Sequence, residues 1–270
     1  MGRYFWFKGH AICYEFHPSS LAHSDHYIVL LHGFLASKYC FRQLISPLQR
    51  KYHVLTIDIP PFGDSSKSKE CLYEYDHIVK AIVFLLDQLG IDKTEILGHS
   101  MGGQIALRCG YFYPERFSKL ILLSPCCFMQ QSPLFAKTMG WNPYAPFIAR
   151  GLLRHKGVLE ILRHCLYDDT LITDEMLQKY KQPFLNREIY PSIVTWLKDH
   201  QEDLHEEQLQ KIMHDCTIFW GGKQDLILPY TLGYELLKFL KNAKLILLDE
   251  TGHFIPEEKP NYIQAYLLQS

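Results

Sequence analysis

Short apolar runs alternate along this chain with longer segments whose apolar residues repeat at helical spacing. The runs YIVLL, HVLTIDI, TEIL, KLILL, TIFW and a second KLILL follow two N-terminal runs, RYFWF and AICYEF. Most of the later runs are continuously apolar, which is typical of parallel strands covered on both faces. Between them, segments such as residues 78–89 place apolar residues on one helical face. The alternation predicts an α/β fold, with a mostly parallel central sheet flanked by helices.

One long segment interrupts this alternation. Between Leu123 and Thr217 the sequence offers no convincing strand, but it contains helical patterns such as KGVLEILRHCL and DEMLQKY. A structureless loop of that length is uncommon in a compact domain. We therefore predict a single domain over residues 1–270, with a helical cap over residues 126–214 inserted before the penultimate strand.

Composition and charge exclude several classes of function. Hydrophobic residues make up 47% and charged residues 21% of the 270 residues, and the formal net charge is −1. This balance gives no basic footprint for nucleic acid and no attraction to an anionic membrane surface. No apolar run reaches the ~18 residues of a membrane span, and no secretory signal is recognisable.

We predict a cytoplasmic protein whose eight cysteines, without a C-x-x-C pair, are free thiols.

The stretch GHSMGG stands between the predicted strand TEIL and a predicted helix that ends before Pro114. It contains Gly98-x-Ser100-x-Gly102, the spacing of a nucleophile elbow, in which a strained turn exposes a serine hydroxyl above the sheet. The helix N-terminus offers backbone N–H groups to a developing oxyanion. This context favours Ser100 as a nucleophile over the plainer alternative that its hydroxyl only caps the helix.

A serine nucleophile needs a general base, and the chain has 14 histidines. His253 follows the second KLILL run, so it lies where α/β sheets place their chemistry, at the carboxyl end of a strand. We predict that His253 is the base. His99 adjoins the serine, so its side chain is expected to point elsewhere, and His32 is expected to brace a turn. Four N-terminal histidines are predicted to face solvent: His10, His17, His23 and His26.

The base in turn needs an acid that orients it. Asp225, in GGKQDLILP, follows the run TIFW and is the acid that we predict, against the alternative of an ordinary turn aspartate. The loop after the first KLILL run reads SPCC and offers no acid. Asp58 and Asp64, in DIPPFGDSS, better suit turn chemistry.

The order Ser100, Asp225, His253 matches the order of the α/β-hydrolases. The chain resembles that superfamily, in its compact, lid-bearing, serine-esterase-like branch. The resemblance rests on HGF at residues 32–34, DIPPFGDS, GHSMGG, GGKQDLILP and TGHFIPEEKP, and it covers nearly the whole chain except the insertion.

The resemblance also implies an oxyanion hole and a substrate pocket. The backbone N–H groups of Phe34, in HGF, and of Met101, after the serine, are the expected oxyanion donors. The insertion matches the family's cap position, and its large apolar residues either line an acyl pocket or pack the cap on the core. They are Phe128, Met129, Phe135, Met139, Trp141 and Phe147.

The function implied is hydrolysis of carboxylic esters with small-to-medium apolar acyl groups, through an acyl-enzyme and without metal or organic cofactor. Three alternatives stay open: a monoacylglycerol lipase, a carbon–carbon bond hydrolase of the meta-cleavage type, and a small-ligand sensor. The carbon–carbon hydrolases need a basic residue for a substrate carboxylate, for which Arg150 and Arg163 are candidates. The partner expected in each case is a small molecule, and no motif indicates an oligomeric state.

Overall fold

The computed structural model describes residues 2–68, 70–128, 142, 144–153, 157–199 and 201–269. Within these ranges eight strands form one sheet. The strands are β1 Arg3–Phe7, β2 His10–His17, β3 Tyr27–Leu31, β4 His53–Ile57, β5 Thr94–His99, β6 Phe117–Leu123, β7 Asp215–Gly221 and β8 Ala243–Leu248. Their order across the sheet is β1-β2-β4-β3-β5-β6-β7-β8.

The sheet is parallel from β4 to β8, and the N-terminal strands β1 and β2 join it antiparallel. Almost all side chains of β3, β5 and β6 are buried, because helices cover both faces. The prediction of an α/β fold with a mostly parallel central sheet is confirmed. The carboxyl ends of β3, β5, β7 and β8 lie at one edge, and this places the loops that follow them side by side.

Helices connect the strands, and several of them lie where the helical patterns predict them. They are α1 Arg42–Leu48, α2 Tyr75–Gln88, α3 Met101–Phe112, α4 Ala145–Leu152, α5 Val158–Cys165, α6 Asp174–Lys181, α7 Ile189–Lys198, α8 Glu206–Leu209, α9 Thr231–Leu237, α10 Ile255–Glu258 and α11 Pro260–Gln269. Helices α4 to α8 all lie between β6 and β7, where the described residues contain no strand. The inserted segment is therefore helical where it is described.

All eight cysteines are free thiols, as predicted, and six of them are buried. None of the helices in the described ranges combines the length and the hydropathy needed to cross a membrane.

The prediction that His10 faces solvent is wrong. His10 begins β2 and is fully buried, because the hairpin of β1 and β2 packs its inner face against α2 and the loop before it. Its ring meets the rings of Tyr73 and His77 at centroid distances of 5.6 and 5.2 Å. Burial, together with the neighbouring His77, lowers the pKa of His10 to about 4.

This buried histidine makes the fold sensitive to acid. In the unfolded chain His10 binds a proton near its ordinary pKa of about 6.5, whereas folded His10 does so only near 4. Its contribution to stability is therefore complete above pH 6.5 and is lost as the pH falls toward 4, by about 1.4 kcal/mol per pH unit. We expect His10→Phe to flatten the pH dependence of the free energy of unfolding between pH 6.5 and 4.5, measured by urea denaturation.

His23 supplies the matched control, since its side chain is exposed. His23→Phe should show the same dependence of the free energy of unfolding on pH as the wild type. Equal slopes for wild type and His10→Phe would contradict this account of His10.

Candidate functional site

Ser100 lies between β5 and α3, at the turn predicted to be a nucleophile elbow. Its backbone has φ 53° and ψ −116°, a left-handed φ that non-glycine residues rarely adopt. Hydrogen bonds hold it there: its N–H donates to the carbonyl of Leu123 (2.9 Å), and its own carbonyl accepts from the N–H groups of Gly103 and Cys126 (2.9 and 3.0 Å). Such strain persists only where surrounding contacts fix the backbone, and it is common at functional sites.

The two glycines that flank Ser100 in the motif are needed for close packing. A Cβ on Gly98 would lie 2.2 Å from the carbonyl oxygen of Gly102, and a Cβ on Gly102 would lie 2.2 Å from the carbonyl oxygen of Leu31. Both contacts are far shorter than real side chains tolerate, so the turn, β3 and α3 approach one another only with glycine at these positions.

The structure brings Ser100, His253 and Asp225 together in one hydrogen-bonded chain. His253 Nε2 lies 2.9 Å from Ser100 Oγ, and His253 Nδ1 lies 3.0 Å from Asp225 Oδ2. The three residues follow β5, β8 and β7, whose carboxyl ends meet at one edge of the sheet. Each is at least nine-tenths buried. The Nδ1–H of His253 donates to the carboxylate, which leaves Nε2 to accept the serine proton.

Asp225 is held as a carboxylate by several donors. Burial alone would raise the pKa of Asp225, but the hydrogen bond from His253 and the backbone N–H groups of Leu228 and Ile227 lower that pKa below its usual value. The two N–H groups donate to Oδ1 at 2.9 and 3.0 Å, while Oδ2 faces His253. A fixed negative charge on this side of the ring favours an imidazolium during proton transfer.

The loop after β3 lies directly against Ser100. A Cβ on Gly33 would lie 3.1 Å from Ser100 Cβ, and Phe34 lines the same cavity as Ser100. The ring of Phe34 packs on Trp196 of α7, at a centroid distance of 4.6 Å. Met101 is the first residue of α3, where backbone N–H groups lack intrahelical partners. Both predicted oxyanion donors thus belong to segments that adjoin Ser100.

A small cavity of about 50 Å³ opens beside Ser100. One wall is the loop after β3, the floor is the predicted site, and the opposite wall comes from the inserted helices. The lining residues are Gly33, Phe34, Leu35, Ala36, His99, Ser100, His253, Phe254, Val158, Ile161, Leu162, Cys165, Tyr180 and Phe184. None of these is a lysine, arginine, aspartate or glutamate. The cavity therefore suits an uncharged, largely apolar group.

Two of the residues predicted to line an acyl pocket, Phe128 and Phe147, are described by the structure, and neither is among the lining residues given above. Phe128 packs on Phe239 at a centroid distance of 5.7 Å, and Phe147, on α4, is 70% exposed. The other four, Met129, Phe135, Met139 and Trp141, lie outside the described residues. The pocket role of Phe128, Met129 and Trp141 stays a prediction.

Helix α5 supplies most of the inserted wall, and the sequence carried a signal for it. Val158, Ile161, Leu162 and Cys165 have the spacing i, i+3, i+4 and i+7, which marks one face of a helix. The pattern predicts an apolar face, but it does not say which partner that face meets. The structure places this face over Ser100.

Two further residues border the site and have supporting contacts. Burial, with the neighbouring His253, lowers the pKa of His99 to about 3. His99 is therefore neutral, and its Nε2–H donates to the carbonyl of His253 at 2.8 Å. This hydrogen bond steadies the histidine loop. The thiol of Cys126 lies 3.6 Å from Ser100 Oγ, and burial raises the pKa of Cys126 to about 12, so it stays protonated.

One group of side chains in the described ranges has its oxygen and sulfur atoms close enough to share a metal ion: Cys13, Asp58 and Asp64. The ammonium of Lys38 already lies among them, 2.6 Å from Asp58 Oδ2, 2.8 Å from Asp64 Oδ2 and 3.6 Å from Cys13 Sγ. Burial alone would lower the pKa of Lys38, but the charge of Asp58 and hydrogen bonds to both carboxylates raise it. Lys38 and Asp58 form a buried ion pair that links the loops after β3 and β4, and the exposed Asp64 adds a second carboxylate. Asp58 also accepts from the N–H of Asp64, the turn chemistry that was predicted.

Comparison with known proteins agrees with this architecture. The model of the α/β hydrolase fold family matches residues 27–260, which span the sheet from β3 onward, the inserted helices and all three residues of the hydrogen-bonded chain.

Three curated relatives illustrate the range of activities around this chain. The "Uncharacterized hydrolase YugF" of Bacillus subtilis is 34% identical over 89% of this chain and 88% of its own length. The "Monoacylglycerol lipase abhd6-B" of Xenopus laevis is 28% identical over 86% and 71%. A 2-hydroxy-6-oxononadienedioate/2-hydroxy-6-oxononatrienedioate hydrolase of Pseudomonas putida is 26% identical over 89% and 86%. The chain belongs to the α/β-hydrolase fold family and is a hydrolase of that family.

Proposed function

We propose that this protein is a serine hydrolase that cleaves carboxylic esters of small-to-medium apolar acyl groups. The observation that carries the proposal is the chain of hydrogen bonds from Ser100 Oγ through His253 to Asp225 at the floor of an apolar cavity. A serine hydroxyl is a weak nucleophile until a base within hydrogen-bond reach removes its proton. The distances of 2.9 and 3.0 Å meet that condition without any substrate-induced movement.

The reaction follows from the roles of the three side chains. His253 Nε2 takes the proton of Ser100 as Oγ attacks the ester carbonyl, and the C=O electron pair moves onto oxygen. The tetrahedral intermediate collapses, the alkoxide leaves with the proton from His253, and an acyl-enzyme remains. Water then repeats the sequence: it gives His253 a proton as it attacks the acyl carbon, and the acid leaves as His253 returns that proton to Ser100 Oγ. Asp225 holds the tautomer and stabilises the imidazolium in both halves.

The backbone N–H groups of Phe34 and Met101 are the proposed oxyanion donors. The packing of Phe34 on Trp196 and the seating of Met101 at the start of α3 support this role, because such donors act best when they need no reorganisation. The positive end of the α3 dipole adds to the stabilisation of negative charge.

The cavity favours short acyl or alkoxy groups next to the reacting carbonyl. Its 50 Å³ is well below the roughly 300–1,000 Å³ of pockets that enclose drug-sized ligands. It therefore accommodates the part of the substrate nearest to Ser100. The likeness to a monoacylglycerol lipase of Xenopus laevis supports including monoacylglycerols among the esters to be tested.

A second candidate is carbon–carbon bond hydrolysis of the meta-cleavage type, favoured by the likeness to the Pseudomonas putida dienedioate hydrolase. Such a substrate carries carboxylates and needs a basic residue in its pocket. The described cavity lining has no lysine or arginine, and Arg163 lies on the surface beside Glu160 and Asp169. Arg150 is likewise not among the lining residues. These observations favour the ester hydrolase.

A series of p-nitrophenyl esters from acetate through butyrate, hexanoate and octanoate to palmitate tests the substrate class. Each buried CH₂ is worth about 0.8 kcal/mol, so each methylene that fits should raise kcat/KM about three- to fourfold. We expect kcat/KM to rise and then fall, with the maximum in the short-to-medium range, because an overlong chain clashes or returns to water. A monoacylglycerol and a meta-cleavage dienoate complete the panel. An enzyme that cleaves the dienoate and ignores every ester would overturn the proposal in favour of the carbon–carbon hydrolase.

A further inference from the structure

Two consecutive glutamates follow the site histidine at a distance of four and five residues. Glu257 and Glu258 end α10, the short helix that begins directly after Phe254. Both have carboxylates that reach away from α10 to other parts of the molecule. The reaction proposed above uses neither residue.

Glu257 joins the core to the inserted segment. Its carboxylate is almost fully buried, with a side-chain exposure of 2%. Glu257 Oε1 accepts a hydrogen bond from the hydroxyl of Tyr180, on α6, at 2.7 Å, and one from Arg42 Nη1, on α1, at 2.6 Å. Tyr180 also packs its ring edge-on against Phe254, the residue after His253, at 5.5 Å. One buried carboxylate thus ties α6 to the core beside the histidine.

Glu258 joins the histidine loop to the end of α5. Its Oε2 accepts from the N–H of Gly252, the residue before His253, at 2.7 Å. Its Oε1 accepts from the N–H of Tyr167 at 2.7 Å and from that of Asp168 at 3.4 Å, both just beyond α5. Hydrogen bonds from backbone N–H groups to a carboxylate are charge-assisted and stronger than neutral ones.

The backbone on either side of His253 completes the contact. The N–H of Phe254 donates to the carbonyl of Cys165, the last residue of α5, at 3.0 Å. A Cβ on Gly252 would lie 2.5 Å from the same carbonyl oxygen, so the two segments touch backbone to backbone. His253 is therefore held on both sides: Phe254 hydrogen-bonds directly to the inserted segment, and Gly252 does so through Glu258, which also accepts from Tyr167.

We propose that Glu257 and Glu258 are positioning residues that bind the inserted helices to the His253 loop and so hold His253 in register with Ser100. The inference rests on the proposed function, since it concerns the geometry of the same site. A displacement of about 1 Å at a catalytic group can cost roughly a hundredfold in rate. In this proposal the inserted segment does not only enclose the substrate, because its contacts with Glu257 and Glu258 also hold His253 in position.

The variants separate this role from a purely structural one. Glu258→Ala removes all three hydrogen bonds to Gly252, Tyr167 and Asp168, whereas Glu258→Gln keeps one oxygen acceptor and loses the other. Tyr180→Phe removes only the hydroxyl bond to Glu257. Glu235→Ala is the matched control, because Glu235 is an exposed glutamate that pairs with Lys238 on the surface.

The readouts are kcat and KM for the best ester, the rate of labelling by a fluorophosphonate, thermal unfolding, and the downfield proton NMR signal of His253 Nδ1–H. For Glu258→Ala we expect kcat and the labelling rate to fall about ten- to a hundredfold while KM changes less than about threefold. The downfield signal should broaden through exchange with water. Glu258→Gln should lie between Glu258→Ala and wild type, and Tyr180→Phe should show a smaller loss of the same kind.

Wild-type kcat, labelling rate and NMR signal in folded Glu258→Ala and Glu258→Gln would overturn the inference, even if both variants melt earlier. A wild-type protein that reacts with neither ester nor fluorophosphonate would instead overturn the proposed function. The NMR signal reports His253 in either case, so the two failures are distinguishable.

Discussion

Replacement of Ser100 by alanine should lower ester turnover about a millionfold and leave the fold intact. The Ser-His-Asp residues act as a unit, and loss of the nucleophile in such a unit costs about 10⁶ in kcat. Alanine keeps the Cβ that the strained backbone at φ 53° already accommodates. The side chain loses only Oγ and its contacts with His253 and Cys126. Steady-state hydrolysis of the best p-nitrophenyl ester measures the effect.

Ser124 offers a matched control for this substitution. It is fully buried at the end of β6, next in the sheet to β5, and its hydroxyl has no hydrogen-bond partner among the described residues. Ser124→Ala should keep activity within a few-fold of wild type, with a similar melting temperature. Residual turnover by Ser100→Ala close to that of Ser124→Ala would show that another group is the nucleophile.

Replacement of Asp225 by asparagine should lower kcat about 10⁴-fold, the loss that the same change of the triad aspartate causes in a serine protease. The amide keeps the size of the carboxylate but removes its charge, so the imidazolium of His253 loses its stabilisation. An NH₂ group facing His253 also favours the wrong tautomer, and one facing Ile227 and Leu228 would oppose two backbone donors. His253→Ala should be at least as damaging.

The control for the acid is Asp249, an exposed aspartate that follows β8 and lies four residues before His253. Asp249→Asn should behave as wild type in the same assay. Full activity of Asp225→Asn together with loss of activity in Asp249→Asn would show that the acid has been assigned to the wrong strand end.

Much of the sheet and of the hydrogen-bonded chain could be predicted because their signals are local or follow from topology. The runs that begin at Tyr27, Thr94 and Lys119 are mostly apolar, and each lies in a strand whose side chains are largely buried on both faces. Ser100, Asp225 and His253 are far apart in the chain, but each follows a predicted strand. The carboxyl ends of parallel strands share one edge, so the three positions had to be close.

The wall of the cavity formed by the inserted helices was harder to predict, because it depends on how those helices dock. Composition drew attention to the aromatic residues near the start of the insertion, of which Phe128 packs on Phe239. The apolar face of α5, from Val158 to Cys165, was visible as a pattern but carried no information about its partner. Packing between segments distant in sequence decides which partner this face meets, and the local spacing of apolar residues does not encode that choice.

The burial of His10 shows the same limit at the other end of the chain. The run AICYEF predicted a strand, but the hairpin that it forms with β1 sets which face turns inward. Strand pairing places His10 against Tyr73 and His77 of a segment some sixty residues later. Contacts of the histidine loop with Glu257, Glu258 and His99 are also tertiary, so the motif TGHFIPEEKP predicts a base without indicating what steadies it.

The most direct test of the central claim is to identify the residue that a fluorophosphonate modifies. The probe transfers its phosphonyl group to an activated serine and releases fluoride, so it needs the nucleophile and its base but no knowledge of the natural ester. Peptide mapping by mass spectrometry after labelling should find the added mass on Ser100 in the wild type and no labelling in Ser100→Ala. Modification of a different serine, or none at all in correctly folded wild-type protein, would contradict the assignment of Ser100, His253 and Asp225 as a serine-hydrolase site.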